Sequence, residues 1–175
     1  VNVTDASTTT TALNLSLSAS GSIAAGDITI ADVKTINITA DDTDTPASGV
    51  TADANHTLTL VATSATALTV NGDADLNLTN TGNTLLTSIN ATDMTGALTV
   101  IAAGTTAVTI TGGAGNDSLT ASTAGDTLIG GAGNDTLVAG NLAQLTGGTG
   151  VDTFDMTTAT GNVNSYATIL DASSG

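Results

Sequence analysis

Three segments rich in glycine and aspartate have the residue types and spacing of a cation site. Each follows the nine-residue pattern Gly-Gly-x-Gly-x-Asp-x-U-x, where U is a large apolar residue, and the copies occupy residues 112–120, 130–138 and 147–155. The aspartates supply anionic oxygens, and the glycines allow the backbone to adopt positive φ and turn its carbonyl oxygens inward. Calcium takes about six to eight oxygen ligands in flexible geometry. The pattern therefore predicts calcium binding.

These segments resemble the calcium-binding nonapeptides of the RTX family at every fixed position of the repeat. In that family the ion lies between one turn and the turn two repeats further on, along the same edge of a β-roll. For this chain the resemblance implies two good sites that share Asp135. The first would use the carbonyls of Gly112 and Ala114 with Asp117, and the carbonyls of Gly131 and Gly133 with Asp135. The second would use Gly130, Ala132 and Asp135 with Gly148, Gly150 and Asp152.

The alternate repeats, which would form the opposite edge of the roll, depart from the pattern. Residues 121–129 keep Asp126 and Leu128 but lack the paired glycines, whereas residues 139–146 lack the aspartate and are one residue short. We expect at most one weaker calcium site on this edge, at Asp126. We also expect the missing residue to distort the second good site.

Acidic residues before the repeats are further candidate calcium ligands. They are expected in turns, where a solvated acidic turn is the alternative to a metal site. They form a cluster before Pro46, a pair after Val70 and one isolated residue: Asp41, Asp42 and Asp44; Asp73 and Asp75; and Asp93.

The elements that must position these turns are very short strands. Triplets such as Leu58–Leu60, Leu68–Val70 and Leu98–Val100 alternate apolar and polar residues, and such triplets recur every eight to eleven residues between residues 58 and 110. Even spacing with small core residues favours an all-β, right-handed parallel β-solenoid or β-roll, while a β-sandwich is the alternative. We divide the chain into solenoid coils (1–110), a continuous RTX β-roll (111–155) and a C-terminal strand and turn segment of a longer protein (156–175).

The composition narrows the possible functions. The chain has sixteen acidic residues, all aspartate, and one basic residue, Lys34, so its net charge is -15. Nucleic-acid binding needs a basic surface, and a membrane span needs a long apolar run; the chain has neither. It has no cysteine, and its single histidine, His56, is expected at the surface before a strand. These features argue against a zinc site or a catalytic triad, and we expect no enzymatic activity.

Several segments resemble the C-terminal region of surface-layer proteins of the Caulobacter type. They are residues 31–38, residues 76–84 and the nonapeptides, in the same order. The resemblance implies a secreted structural protein, exported unfolded by a type I system, that assembles with itself into a calcium-dependent lattice on the bacterial surface. Attachment to cell-surface polysaccharide would lie outside this segment. The alternatives are the stalk or binding region of an RTX adhesin, and the secretion and folding module of an RTX hydrolase or toxin.

Overall fold

The fold was determined as a computed structural model, which describes residues 2–4, 12–43, 54–80, 82–122, 125–157 and 167–171. Every element in these ranges is a β-strand, and the strands alternate between two sheets. The first sheet contains, in spatial order, β1 (Asn2–Thr4), β3 (Ala24–Ala31), β5 (Asn55–Val61), β7 (Asp75–Asn80), β9 (Leu98–Ile101), β11 (Ser118–Thr120), β13 (Thr136–Val138) and β15 (Thr153–Asp155). The second contains β2 (Ala12–Ala19), β4 (Thr35–Asp42), β6 (Ala67–Gly72), β8 (Ser88–Met94), β10 (Thr109–Thr111), β12 (Thr127–Ala132), β14 (Gln144–Thr149) and β16 (Thr168–Asp171).

All the pairings between the described strands are parallel, and each strand inside a sheet pairs with the strands one full coil before and after it. For example, β10 pairs with β12 so that Thr109 faces Thr127, and β11 pairs with β13 so that Leu119 faces Leu137. This topology confirms the predicted parallel β-solenoid and shows that the β-sandwich alternative is wrong. Among the described residues, no helix is present that could cross a membrane.

The coils become shorter towards the nonapeptides. Ala67 pairs with Ser88, twenty-one residues on, whereas Thr109 pairs with Thr127, eighteen residues on. Eighteen residues are two nonapeptides, so one coil in this region consists of two repeats. The turns at a given edge of the solenoid therefore come from every second repeat.

The core is a narrow double row of aliphatic side chains. In the nonapeptide coils β11, β12, β13 and β14 each provide one large, fully buried residue, whereas Phe154 of β15 is only partly buried: the four are Leu119, Leu128, Leu137 and Leu145. Burial of one such side chain contributes about 1.5–3 kcal/mol. Because ordering nine residues costs more than this in conformational entropy, these coils need stabilisation beyond their apolar core.

The predictions for His56 and for several of the earlier aspartates were wrong. His56 lies in β5 with none of its surface exposed. Its Nδ1 accepts a hydrogen bond from the Ile23 N–H (3.1 Å), and its Nε2 lies 3.2 Å from the Asp41 carbonyl oxygen, so the ring joins two neighbouring segments. Asp93 lies in strand β8, opposite Asn71 of β6, and is exposed rather than placed in a turn. Asp41 and Asp42 end β4 and Asp75 begins β7, so these three aspartates also belong to strands.

Candidate metal centre

Three acidic turns stack at one edge of the solenoid. We call this stack of residues 112–117, 130–135 and 147–152 the acidic edge. The N–H of Asp117 donates to Oδ1 of Asp135 (2.8 Å), and the N–H of Asp135 donates to Oδ1 of Asp152 (3.0 Å). The Leu98 N–H donates in turn to Oδ1 of Asp117 (2.7 Å). One oxygen of each carboxylate thus joins its turn to the preceding coil.

The same register continues into the earlier coils with different chemistry. His56 pairs with Leu76, and Leu76 pairs with Leu98. Thr99 faces Ser118, so the residues that precede them in the chain, Leu98 and Asp117, also lie opposite each other. The side chains at these paired positions form one column, which we call the interior column. The column therefore changes from one histidine and two leucines to three aspartates where the nonapeptides begin. Only the coils with aspartate require a charged partner in this position.

The glycines are required because the stacked turns approach each other closely. A Cβ atom on Gly131 would lie 2.3 Å from the Gly113 carbonyl oxygen, and one on Gly148 would lie 2.0 Å from that of Gly131. Both glycines also have φ above +100°, which other residues rarely adopt. The Ala132 N–H donates to the Gly113 carbonyl at 2.9 Å, so the same contact forms part of the backbone ladder. The glycine at the second position of the repeat therefore determines how tightly the turns stack.

The first glycine of each repeat leaves room for a cluster of oxygen atoms. A Cβ atom on Gly112 would lie 2.2 Å from both Oδ2 of Asp117 and the carbonyl oxygen of Gly130. On Gly130 it would lie 2.2 Å from Oδ2 of Asp135 and 2.5 Å from the carbonyl oxygen of Gly147. Carboxylate and carbonyl oxygens from two successive turns thus converge at two points. Such a donor set fits calcium, which prefers oxygen ligands.

Asp135 is the residue whose surroundings most require a cation. It is 1% exposed, and its Oδ2 is buried with no hydrogen-bond partner. Burial raises its pKa to about 6, and the neighbouring Asp117 and Asp152 carboxylates add to this increase, against the lowering effect of the Asp117 N–H. A bound cation would supply the missing partner and keep the carboxylate ionised.

Asp117 is buried to a similar extent but has more hydrogen bonds. Its Oδ2 accepts from the Gly113 N–H at 2.7 Å, in addition to the Leu98 bond to Oδ1. Burial still raises the pKa of Asp117 above its ordinary value; these two N–H groups lower it, and the charge of Asp75 raises it. Two adjacent buried carboxylates therefore lie on the same edge. The one basic residue of the chain, Lys34, lies on an exposed turn remote in sequence and does not neutralise either of them.

Asp126, on the opposite edge, has a different environment. It is fully buried, and its Oδ1 accepts from the Val108 N–H at 2.8 Å. Its Oδ2 accepts from both the N–H (2.6 Å) and the hydroxyl (2.8 Å) of Ser122. Because donors of the protein already satisfy both oxygens, Asp126 needs no ion to be accommodated. Its role as a weaker ligand stays a prediction.

The residue that is missing from the repeat at 139–146 shortens the turn at this opposite edge. The pairing of β12 with β14 and of β13 with β15 remains in register. Leu142, in the shortened turn, takes the strained φ of +60°, whereas Gly104 and Gly125 take positive φ in the preceding turns. The stacking of the acidic edge therefore continues through residues 147–152, although Asp152 is only partly buried.

The earlier aspartates are used mainly as backbone anchors. Oδ1 of Asp73 accepts from the Asp42 N–H (2.8 Å), Oδ2 of Asp42 from the Ala54 N–H (3.0 Å) and Oδ1 of Asp75 from the Ala97 N–H (2.8 Å). Within the described ranges no three acidic, histidine or cysteine side chains are grouped to hold a metal. Asp44 lies outside the described residues. A calcium site at the acidic edge must therefore rely on carbonyl oxygens as well as carboxylates.

The sequence interpretation missed a second ladder on the acidic edge. Oδ1 of Asn116 accepts from the Asn134 N–H (2.7 Å), and Oδ1 of Asn134 accepts from the Val151 N–H (2.8 Å). The signal was present in the fifth position of the repeat, which is asparagine in the first two copies and valine in the third. The ladder ends at Val151 because valine has no side-chain acceptor.

Comparison with known families supports this interpretation of the repeats. The family model of the RTX calcium-binding nonapeptide repeat (4 copies) matches residues 100–123 and 111–141. The chain therefore contains RTX repeats, which bind Ca2+ and form a structural, non-catalytic β-roll. A search of curated proteins found none with significant similarity to the chain.

Proposed function

We propose that this chain is a calcium-stabilised structural segment of a secreted bacterial surface-layer protein. The observation that carries the proposal is the acidic edge, where buried carboxylates stack without basic partners. Folding is then coupled to calcium, because apo metal sites seldom preform. Extracellular modules bind calcium with Kd of roughly 10⁻⁴–10⁻³ M, so the low calcium of the cytosol favours the unfolded chain that a type I system exports.

Assembly follows from the charge of the folded solenoid. Two calcium ions would reduce the net charge of -15 by only four units, which leaves strong repulsion between copies. Additional calcium at the surface would reduce that repulsion and allow subunits to pack into a lattice. Magnesium would substitute poorly, since it demands tighter octahedral geometry. Assembly of the parent protein should therefore require more calcium than its folding.

A calcium series on the parent protein tests the proposal. Circular dichroism follows folding, while light scattering and electron microscopy follow assembly in the same samples. The proposal predicts a folding transition at low calcium and ordered sheets at higher calcium. A parent protein that is folded but monomeric at millimolar calcium would contradict the surface-layer role and support an adhesin stalk. An upstream catalytic domain in the parent sequence would support the hydrolase or toxin alternative.

A further inference from the structure

Asparagine side chains join the turns of the acidic edge that the aspartates also join. Between the first two turns, the Asn134 N–H donates to Oδ1 of Asn116 (2.7 Å), and the Asp117 N–H donates to Oδ1 of Asp135 (2.8 Å). The two bonds run in opposite directions, so each turn supplies one side-chain acceptor and one backbone donor. The second and third turns are joined in the same way. We call the two bonds that asparagine oxygens accept the asparagine ladder.

The aspartates and the asparagines of these turns differ in exposure. Asp117 and Asp135 are buried, whereas Asn116 and Asn134 lie exposed to solvent. The aspartates are proposed calcium ligands, and the asparagines stand outside the proposed ligand set. Substitution of either asparagine therefore removes a link between two turns and keeps every proposed ligand in the chain.

The glycine at the fourth position of the repeat leaves room for the asparagine ladder. A Cβ atom on Gly133 would lie 3.1 Å from Oδ1 of Asn116, and one on Gly150 would lie 3.2 Å from Oδ1 of Asn134. In both cases the asparagine oxygen comes from the preceding turn and packs directly against the glycine. The fourth and fifth positions of the repeat therefore act together in joining one turn to the next.

Each bond of the ladder spans one of the two points where oxygen atoms converge. At the first point, Oδ2 of Asp117 comes from the first turn and the carbonyl oxygen of Gly130 from the second, and the Asn116–Asn134 bond joins these two turns. The Asn134–Val151 bond spans the second point in the same way. Without an ion the converging oxygens repel each other. A bond that holds the turns together opposes this repulsion and keeps the oxygens at the spacing that an ion needs.

From these features we propose that Asn116 and Asn134 are positioning residues for calcium, each for the site between its own turn and the next. The inference rests on the calcium sites of the proposed function and adds residues outside their ligand set. Groups that orient the ligands of a metal strengthen its binding without contacting it. Because each link is one hydrogen bond, Asn116→Ala should raise the Kd of the first site by about three- to tenfold and that of the second by less. Asn134→Ala should show the opposite preference, since its backbone N–H still bonds to Asn116.

Crystals of the chain and of each variant, grown in calcium and then soaked at decreasing free calcium buffered with EGTA, test this inference. In the lattice the solenoid stays folded, so the anomalous peak height at each site reports ion affinity rather than folding. Relative to the wild type, the peak at Asp117 should weaken first in Asn116→Ala, and the peak at Asp135 first in Asn134→Ala. Asn116→Asp keeps an oxygen acceptor and should restore the peak at Asp117. Asn14→Ala is the matched control, because it removes an exposed bond between asparagines of β2 and β4 (2.7 Å), and it should leave both peaks unchanged.

Two results would overturn the inference. The first is an equal loss of both peaks in Asn116→Ala and in Asn134→Ala, or the same loss in Asn14→Ala, which would leave the asparagines with a purely structural role. The second is a pair of peaks that follows the wild type in both asparagine variants. A failure of the calcium sites themselves looks different, since the wild-type chain would then show neither peak at millimolar calcium and the inference would fall with them. The ratio of the peaks does not depend on assembly, so a failure of the surface-layer role is recognised separately, in the calcium series on the parent protein.

Discussion

Replacement of Asp135 by asparagine should change stability in opposite directions with and without calcium. The new side-chain amide would keep an oxygen for the Asp117 N–H and would place an NH2 group where the unpartnered Oδ2 now lies, near the Gly147 carbonyl. In EGTA at pH 7.5 the substitution therefore removes a buried charge and adds a donor. In calcium it removes an anionic ligand that the two proposed sites would share.

The structure gives the size of each effect. A pKa of about 6 instead of 3.8 for Asp135 corresponds to at most about 3 kcal/mol of destabilisation at neutral pH, which solvent screening at the edge reduces to about 1–2 kcal/mol. At about 10 mM calcium, a site with Kd near 0.1–1 mM contributes about 1.4–2.7 kcal/mol. Asp135→Asn should thus stabilise the metal-free chain by about 1–2 kcal/mol and lose about 3–5 kcal/mol of calcium-dependent stabilisation.

Urea unfolding followed by circular dichroism, in EGTA and in calcium, measures both effects. Asp126→Asn is the matched control because Asp126 is also a buried aspartate that precedes a strand. Its amide would oppose the Ser122 donors or the Val108 N–H, so this variant should already lose about 1–3 kcal/mol in EGTA. If Asp135→Asn also destabilises the chain in EGTA, as the control does, and loses no further stability in calcium, the assignment of Asp135 to calcium is wrong.

Three further outcomes are expected. Because the pKa of Asp135 is raised, the folded metal-free chain binds this proton more tightly than the unfolded chain, and its stability should fall as pH rises from about 4 through about 6. The calcium affinity should rise over the same range. Urea and calcium titrations at several pH values check both trends. Leu142→Gly should leave the stability unchanged or raise it by up to about 1 kcal/mol, because glycine adopts the left-handed backbone of this exposed position without strain. Thermal unfolding checks this, and the control Leu142→Val should be destabilised. His56→Ala should cost about 2–4 kcal/mol, since it leaves a cavity and the Ile23 N–H and Asp41 carbonyl unpaired, but should not change calcium stoichiometry by calorimetry.

The strands and the acidic edge could be predicted because their signals are local and repeated. Alternation of apolar residues places Leu58, Leu60, Leu68 and Val70 in the core, as the structure shows. The fixed nonapeptide pattern marks the turns that stack. Period-two alternation and turn glycines need no knowledge of distant partners, so one sequence is sufficient to identify them.

The errors arose where the outcome depends on the neighbouring coil. His56 begins an alternating segment and resembles a polar residue at a strand start, but register places it above Leu76 in the interior column. Asp93 follows a polar stretch that resembles a turn, yet β6 continues the pairing beyond it through a register shift between Thr69 and Asn71. Such placements depend on which residue lies one coil away, and variable coil length conceals that partner in a single sequence.

The predicted distortion of the second site illustrates the same limit. A missing residue in a repeat can be absorbed at either edge of the coil. Here the turn around Leu142 absorbs it, through a strained φ, and the register of β13 with β15 is kept. The sequence shows that one residue is missing but does not show which edge changes its conformation.

Anomalous diffraction from crystals of the chain grown in calcium tests the central claim most directly. Data collected at a long wavelength locate calcium without assumptions about its ligands. We predict two anomalous peaks on the acidic edge, one beside Oδ2 of Asp117 and the Gly130 carbonyl, and one beside Oδ2 of Asp135 and the Gly147 carbonyl. An ordered acidic edge without anomalous density at either position, in crystals at millimolar calcium, would contradict the claim that these stacked turns are calcium sites.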